Sequence, residues 1–66
     1  MTGTITKLVD NRQFGMILGE NGREYFFSDS ALQGVRFENL ALGVRVTFDA
    51  TQALRGPRAE RIRLTR

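Results

Sequence analysis

The sequence predicts an all-β domain in which five short antiparallel strands form a small barrel, with one short helical turn after the third strand. Residues typical of strands alternate in five short blocks, and turn-forming residues separate the blocks. No segment has the pattern and length of an independent helix. Closure into a barrel removes the exposed strand edges that otherwise promote aggregation. At 66 residues the chain is predicted to be a single domain, residues 1–66.

The N-terminal half contains three of the predicted strands. They are expected at about residues 4–9, 13–19 and 23–28, where β-branched and aromatic residues are frequent. Asp10-Asn11 marks the first turn. Asn21-Gly22 predicts a hairpin closed by a type I′ turn, because both central positions of that turn require positive φ. Gly15 weakens the second strand locally and permits bending or the close approach of a ligand.

A helical turn and a long loop follow the third strand. Ser28–Leu32 is predicted to form the turn, with Ser28 or Asp29 capping its first free amides. The loop over residues 33–43 carries Phe37, which either covers one end of the barrel or contributes to a binding surface. Two further apolar residues of this loop are available to fill the core: Leu40 and Leu42.

The last two strands form the C-terminal part of the domain. Val44–Phe48 alternates cleanly and predicts the fourth strand. Residues 51–57 are predicted to be a loop, and residues 59–64 alternate again as the fifth strand. In this last strand two side chains are expected inward, Ile62 and Leu64, and two outward, Arg61 and Arg63.

The net charge of +3 is unevenly distributed along the chain. Residues 1–54 contain five basic and six acidic residues, whereas residues 55–66 contain five arginines and one glutamate. This asymmetry indicates a polyanionic partner near the C-terminal strand, or else a solvated face that keeps a small protein soluble. No segment approaches the ~20 apolar residues of a membrane span, and no signal-peptide core is present. Because the chain also lacks cysteine, we expect a cytoplasmic protein with no membrane partner.

The residue inventory argues against catalysis. There is no histidine, so Ser28 and Ser30 have no base of that type, and the commonest metal ligand is missing. Glu20 and Glu24 straddle an exposed turn, where solvation is expected instead of acid–base work. We therefore predict that the chain is not an enzyme and that it holds no metal and no cofactor.

Two registers are open to the aromatic residues of the second and third strands. In one register the outward residues are Phe14, Met16, Phe26 and Ser28. In the other, these turn inward and the side chains facing solvent are Ile17, Tyr25 and Phe27. Composition favours the first register, because serine is a poor core residue. An outer strand surface with aromatic rings beside cations suits the stacking of bases and the neutralisation of phosphates, whereas the alternative for the rings is ordinary core packing.

Three motifs follow one another along the chain: Arg12-Gln13-Phe14-Gly15-Met16-Ile17, Tyr25-Phe26-Phe27-Ser28 and Gly56-Pro57-Arg58-Ala59. They resemble the Lys-Gly-Phe-Gly-Phe-Ile, Val-Phe-Val-His and Gly-Pro-Gln-Ala motifs of the bacterial cold-shock domain. The resemblance is collinear from Gly3 to Leu64. It implies a five-stranded OB-type barrel that binds single-stranded nucleic acid.

The resemblance also implies a set of nucleic-acid-binding residues: Lys7, Arg12, Phe14, Met16, Phe26, Ser28, Phe37 and Arg58. Several positions differ from the family pattern. Lys7 stands in place of a tryptophan, Met16 of a phenylalanine, Ser28 of a histidine and Asp29 of an aromatic residue. With fewer aromatic rings, the expected binding shifts towards charge-driven contacts of weak sequence selectivity.

Two functions are compatible with these features. The first is the binding of single-stranded RNA or DNA by an RNA-chaperone-like protein that competes with base pairing without using nucleotide energy. The second is a diverged barrel that acts as a protein-interaction or self-association module with little nucleic-acid binding, and this leaves a homodimer open. The basic C-terminal strand favours the first function, which we prefer. The reduced aromatic set and Asp29 favour the second.

Overall fold

The computed structural model describes residues 1–65, which contain five strands. They are β1 (Thr2–Val9), β2 (Phe14–Gly19), β3 (Glu24–Ser28), β4 (Arg45–Ala53) and β5 (Gly56–Leu64). The strands close into a barrel in the order β1-β2-β3-β5-β4. Neighbouring strands are antiparallel except β3 and β5, which run parallel where Phe26 pairs with Arg58. The predicted all-β, five-stranded barrel is confirmed.

Two single-turn 3₁₀ helices cover the loops between β3 and β4, at Asp29–Ala31 and Phe37–Asn39. The helical turn expected after the third strand is therefore present. Its predicted side-chain cap is wrong: Ser28 occupies the capping position, but no side-chain hydrogen bond caps the helix. The Ser28 hydroxyl instead lies 2.9 Å from that of Ser30. Within residues 1–65, no helix is long and apolar enough to cross a membrane.

Alternate residues of the strands fill the barrel interior. The largest fully buried side chains are Ile5, Ile17, Phe27, Val46, Phe48 and Ile62. Tyr25 is also buried and packs on Phe48, with ring centres 5.2 Å apart. Full burial of one such apolar side chain contributes about 1.5–3 kcal/mol to folding. This interior confirms the register in which Ile17, Tyr25 and Phe27 face inward.

Leucines at the barrel ends differ in burial. Leu40, which follows the second 3₁₀ helix, is 8 % exposed and confirms the expectation of a core residue. Leu42 and Leu64 are 65 % and 47 % exposed, so the prediction that they fill the core is wrong. Leu42 lies in the turn just before β4, and Leu64 is the last residue of β5. Neither position is enclosed by neighbouring strands on all sides, which alternation alone does not reveal.

The β2–β3 connection is a four-residue loop and not the predicted type I′ turn. Gly22 has a φ of +83°, whereas Asn21 is not among the described residues with positive φ. The amide of Gly22 donates to the carbonyl of Gly19 at 2.9 Å. The Asn21 side chain accepts from the Arg23 amide and donates to the Tyr25 hydroxyl, at 3.1 and 2.9 Å. These two side-chain bonds stabilise a loop that the Asn-Gly pattern alone does not distinguish from a tight turn.

Gly15 is explained by packing inside the barrel. A Cβ atom at this position would lie 2.3 Å from the Lys7 carbonyl oxygen and 2.9 Å from the Phe27 ring. Both distances are shorter than van der Waals contact allows. The expected approach of a ligand to Gly15 is therefore wrong, since this residue is buried and its vacant side-chain position faces Phe27.

The β4–β5 connection is much shorter than predicted. The two strands pair continuously from Asp49–Glu60 to Ala53–Gly56, which leaves only Leu54 and Arg55 between them. Most of the predicted loop over residues 51–57 is therefore strand, although its residues are largely exposed. Exposure of both faces removes the apolar alternation by which a strand is recognised in sequence. The result is a long hairpin arm beside β3.

Candidate nucleic-acid interface

Four of the predicted binding residues form one row across the outer wall of the barrel. Lys7 of β1 pairs with Met16 of β2, Met16 with Phe26 of β3, and Phe26 with Arg58 of β5. Residues paired across neighbouring strands point to the same face of a sheet. Met16 and Phe26 are partly exposed, whereas the residues on either side of each are buried. The outward register predicted for these side chains is therefore correct.

A second row runs beside the first and contains Phe14 and Ser28, which pair across β2 and β3. The rings of Phe14 and Phe26 lie on the same face with their centres 5.3 Å apart and their planes inclined by 37°. This separation is within the range of favourable aromatic pairs. The two rings thus form a continuous apolar surface that solvent can reach. We call Phe14, Met16 and Phe26 the outer apolar strip.

An irregularity in β1 directs Lys7 to this face. Ile5 pairs with Ile17, and both face the barrel interior. Lys7 lies two residues after Ile5, yet it pairs with Met16, which is only one residue before Ile17. Thr6 is the extra, unpaired residue of a β-bulge between them. Without the bulge Lys7 would share the inward face with Ile5, because side chains alternate with a period of two. The bulge therefore supplies a cation to the outer apolar strip.

Arg58 is held over the strip by three contacts. Its Cζ atom lies 5.4 Å from the centre of the Phe26 ring, within cation–π range. Its Nε–H donates to Glu60 Oε2 at 2.8 Å, and its Nη2–H donates to the Ser28 hydroxyl at 3.2 Å. Ser28 is thus both a residue of the predicted site and a support for the arginine. The pattern of residues did not identify Glu60, although residues two apart in a strand share a face.

The remaining predicted residues lie at different depths. Arg12 is exposed in the turn before β2, two residues from Phe14. Phe37 is only 5 % exposed, and its ring centre lies 6.3 Å from that of Phe27. This burial fits the alternative in which Phe37 closes the barrel, because a ring packed on a core phenylalanine offers little surface to a base. We therefore leave Phe37 out of the candidate interface.

An open groove extends the interface towards the β4–β5 hairpin. It has a volume of about 670 Å³ and is lined by Phe26, Ala53, Leu54, Arg55, Gly56, Pro57 and Arg58. Leu54 at the hairpin tip is fully exposed. The sequence pattern does not predict this groove, because it indicates an irregular loop where the two strands form an arm beside Phe26.

The basic C-terminal segment is partly neutralised. Arg61 Nε donates to Asp49 Oδ2 at 2.5 Å, across the pair of strands. This hydrogen bond, together with the positive charge of Arg61, holds the pKa of Asp49 below its ordinary value. Asp29 is exposed at the start of the first 3₁₀ helix and adds a negative charge after Ser28. The charge asymmetry of the sequence therefore overstates the local positive field, and Arg58 itself faces Glu60.

The described side chains do not form a metal site. Among residues 1–65 there is no group of three or more histidine, cysteine, aspartate or glutamate side chains positioned to hold a metal ion. The chemistry that the outer wall offers is therefore apolar ring and thioether surface, guanidinium and ammonium donors, and hydroxyl groups. These groups suit stacking and phosphate contact.

Comparisons with known proteins agree with this arrangement. The family model described as 'Cold-shock' DNA-binding domain matches residues 1–65. Cold shock protein 2 of Lactiplantibacillus plantarum is 38 % identical over 60 residues, which cover 91 % of this chain and 91 % of the relative. Cold shock-like protein CspLB of Listeria monocytogenes is 36 % identical over 61 residues, 92 % of each chain. The major cold shock protein of Streptococcus pyogenes is 38 % identical over 60 residues, 91 % of this chain and 90 % of its own.

The family match extends over the whole described chain and confirms the resemblance seen in the three motifs. It also confirms two predictions about function class, nucleic-acid binding and the lack of enzymatic activity. The chain belongs to the cold-shock DNA-binding domain family.

Proposed function

We propose that the protein binds single-stranded RNA or DNA with weak sequence selectivity and acts as an RNA-chaperone-like protein. The observation that supports this most directly is the pair of solvent-accessible rings, Phe14 and Phe26, 5.3 Å apart on the outer wall. Rings on an exposed strand surface are surrounded by water unless a ligand covers them. We expect this binding to occur in the cytoplasm, where a chain without cysteine is suited to reducing conditions.

In the proposed complex, unstacked bases lie on the outer apolar strip. Each base–aromatic contact is worth about 1–3 kcal/mol, so two rings supply about 2–6 kcal/mol of binding free energy. Met16 adds a polarisable thioether that covers a further base face. Binding keeps the nucleic acid single-stranded and so competes with base pairing. This competition requires no nucleotide hydrolysis.

Three cations at the rim of the strip hold the phosphate backbone: Lys7, Arg12 and Arg58. Lys7 and Arg12 are exposed, and neither has an ion-pair partner among residues 1–65. Ser28 contributes a hydroxyl beside Arg58. Because charge replaces some of the stacking surface, binding is expected to respond strongly to salt.

A salt titration tests the proposal. The logarithm of single-strand affinity falls with the logarithm of salt concentration at a slope of about −0.7 per phosphate contact. Three contacts therefore predict a slope of about −2 for a short oligothymidylate. Absence of binding at low ionic strength, or affinity that does not change with salt, contradicts the proposal.

The alternative function is a protein-interaction or self-association module. Its specific support is Leu54, a fully exposed leucine at the hairpin tip beside Phe26. A second copy covering this leucine would make the protein a homodimer. Sedimentation at increasing protein concentration distinguishes a monomer from a homodimer, because a constant monomer mass argues against self-association.

A further inference from the structure

We propose that Arg58 gives this interface a preference for guanine over the other bases. The inference rests on the proposed function, because it assigns a base preference to the same strand-binding wall. It concerns the hydrogen-bonding edge of the base that lies next to Phe26, which Arg58 contacts in place of a phosphate when that base is guanine. A base preference of this kind is compatible with weak overall selectivity, since only one base step is read.

The guanidinium group of Arg58 retains free donors. Of its five N–H groups, Nε–H is used by Glu60 and one Nη2–H by Ser28. Both Nη1 hydrogens and the second Nη2 hydrogen make no hydrogen bond within residues 1–65. Two neighbouring nitrogens of the group therefore each present a donor in one plane. This is the fork that binds two adjacent acceptors together.

The fork is also restrained before any ligand arrives. The side chains of Arg58 and Glu60 are 33 % and 35 % exposed, whereas those of the Arg61–Asp49 pair are 60 % and 57 % exposed. Anchoring at Glu60, Ser28 and the Phe26 ring leaves the guanidinium few alternative orientations. Ligand binding then costs less side-chain entropy than it does for a free surface arginine.

The geometry leaves room for a base beside the arginine. Arg58 Cζ lies 5.4 Å from the centre of the Phe26 ring, and both Phe26 and the neighbouring Phe14 remain partly exposed. The groove on the hairpin side of the same two residues is open to solvent. A base stacked on Phe14, beside the ring that carries the guanidinium, therefore has an edge next to Arg58.

Base chemistry selects guanine for this position. Guanine carries two adjacent acceptors, O6 and N7, which arginine binds in a bidentate manner. Adenine offers N7 beside an N6 donor, so one arginine donor meets another donor. In thymine and uracil an N–H group separates the two carbonyl oxygens. Cytosine has adjacent acceptors at N3 and O2 but only a single ring with which to stack, which makes it the nearest competitor.

The test uses oligothymidylate strands that carry one central guanine, adenine, cytosine or 7-deazaguanine. A single guanine avoids the association of guanine-rich strands, and adenine matches its stacking surface. The intact protein is expected to bind the guanine strand about fivefold more tightly than the adenine strand, the lower end of the range for a bidentate contact. Replacing N7 by carbon in 7-deazaguanine removes one acceptor and is expected to abolish this difference.

Arg58→Lys is the matched variant, because it keeps the charge and removes the fork. It is expected to reduce the guanine preference to less than about twofold while leaving the salt slope on unsubstituted oligothymidylate unchanged. The inference is overturned if the intact protein binds the adenine, cytosine or unsubstituted strand as tightly as the guanine strand. A preference that survives in 7-deazaguanine or in the variant also overturns it. Failure of every strand to bind at low salt overturns the proposed function as well. The 7-deazaguanine comparison needs only the unaltered protein and decides the question even if the variant does not fold.

Discussion

Lys7 and Met16 are neighbours across β1 and β2, although Ile5, two residues before Lys7, points into the core. The bulge at Thr6 produces this arrangement by adding one residue to β1. A lysine side chain next to an apolar surface places its alkyl chain along that surface and its ammonium group in water. We therefore expect Lys7 to contact the phosphate backbone of a strand bound on the outer apolar strip.

Lys7→Trp is expected to strengthen single-strand binding. The bulge presents this residue to the outer face beside Met16, and an indole there adds a stacking partner worth about 1–3 kcal/mol, against the loss of one phosphate contact. Affinity should rise at high salt, and the salt slope should become less steep by about 0.7. Titration of both proteins with oligothymidylate at two ionic strengths measures this. Weaker binding of the variant at high salt would argue that residue 7 does not face the bound bases.

Neighbouring phenylalanines of β3 are expected to have separate roles. Phe27→Leu should lower the free energy of unfolding by about 1–2 kcal/mol, because the ring is fully buried. Phe26→Leu should change stability by less than about 1 kcal/mol, because this ring is partly exposed. Urea unfolding measures stability, and strand titration should show the larger loss of affinity for Phe26→Leu. A reversed order in either measurement would contradict the assigned register.

Gly15→Ala is expected to destabilise the barrel by about 1–3 kcal/mol, the range for overpacking a core. The added methyl group would meet the Lys7 carbonyl at 2.3 Å and the Phe27 ring at 2.9 Å, and the backbone oxygen cannot move aside without shifting β1. Thermal or urea unfolding measures the loss. Gln52→Ala, at an exposed strand position, is the control and should be near neutral. A Gly15→Ala protein as stable as this control would show that the barrel is looser than described.

The Asp49–Arg61 pair predicts a pH dependence of stability. The pKa of Asp49 is lowered in the folded protein by the hydrogen bond and charge of Arg61. Its contribution is therefore present above the unfolded pKa, which is near 3.8, and is lost as the pH falls through the lower folded pKa. Asp49→Asn should be slightly less stable than the parent at neutral pH, and the difference should shrink as the pH falls below the unfolded value of 3.8. A stability difference that is the same at neutral and acidic pH would exclude this pair as its source.

Alternation predicted the outer wall because side-chain direction in a regular paired strand has a period of two. Phe26 and Ser28 face outward and Tyr25 and Phe27 inward, since serine identified the solvent side of β3. Leu64 pairs with the buried Val46 and is nevertheless 47 % exposed, because it is the last residue of β5. Periodicity therefore predicts side-chain direction in a regular strand, but it does not predict a bulge or the exposure of a residue at the end of a strand.

The sequence pattern did not predict contacts between segments that are distant in the chain. The parallel pairing of Phe26 with Arg58 joins residues of β3 and β5, and no local signal specifies which strands close the barrel. The sequence does not indicate the bulge at Thr6 either, because threonine is common in regular strands. The hairpin turn was predicted in the right place but in the wrong geometry, because side-chain bonds from Asn21 stabilise a longer loop.

Oligothymidylate titration of the double variant Phe14→Ala/Phe26→Ala tests the central claim most directly. Loss of two stacking contacts worth about 1–3 kcal/mol each predicts at least about a 30-fold weaker affinity at constant salt. Leu42→Ala, which removes an exposed apolar side chain from the turn before β4, is the matched control and should bind like the parent. Unchanged affinity in a double variant that retains the parent's circular dichroism would show that bases do not stack on these rings.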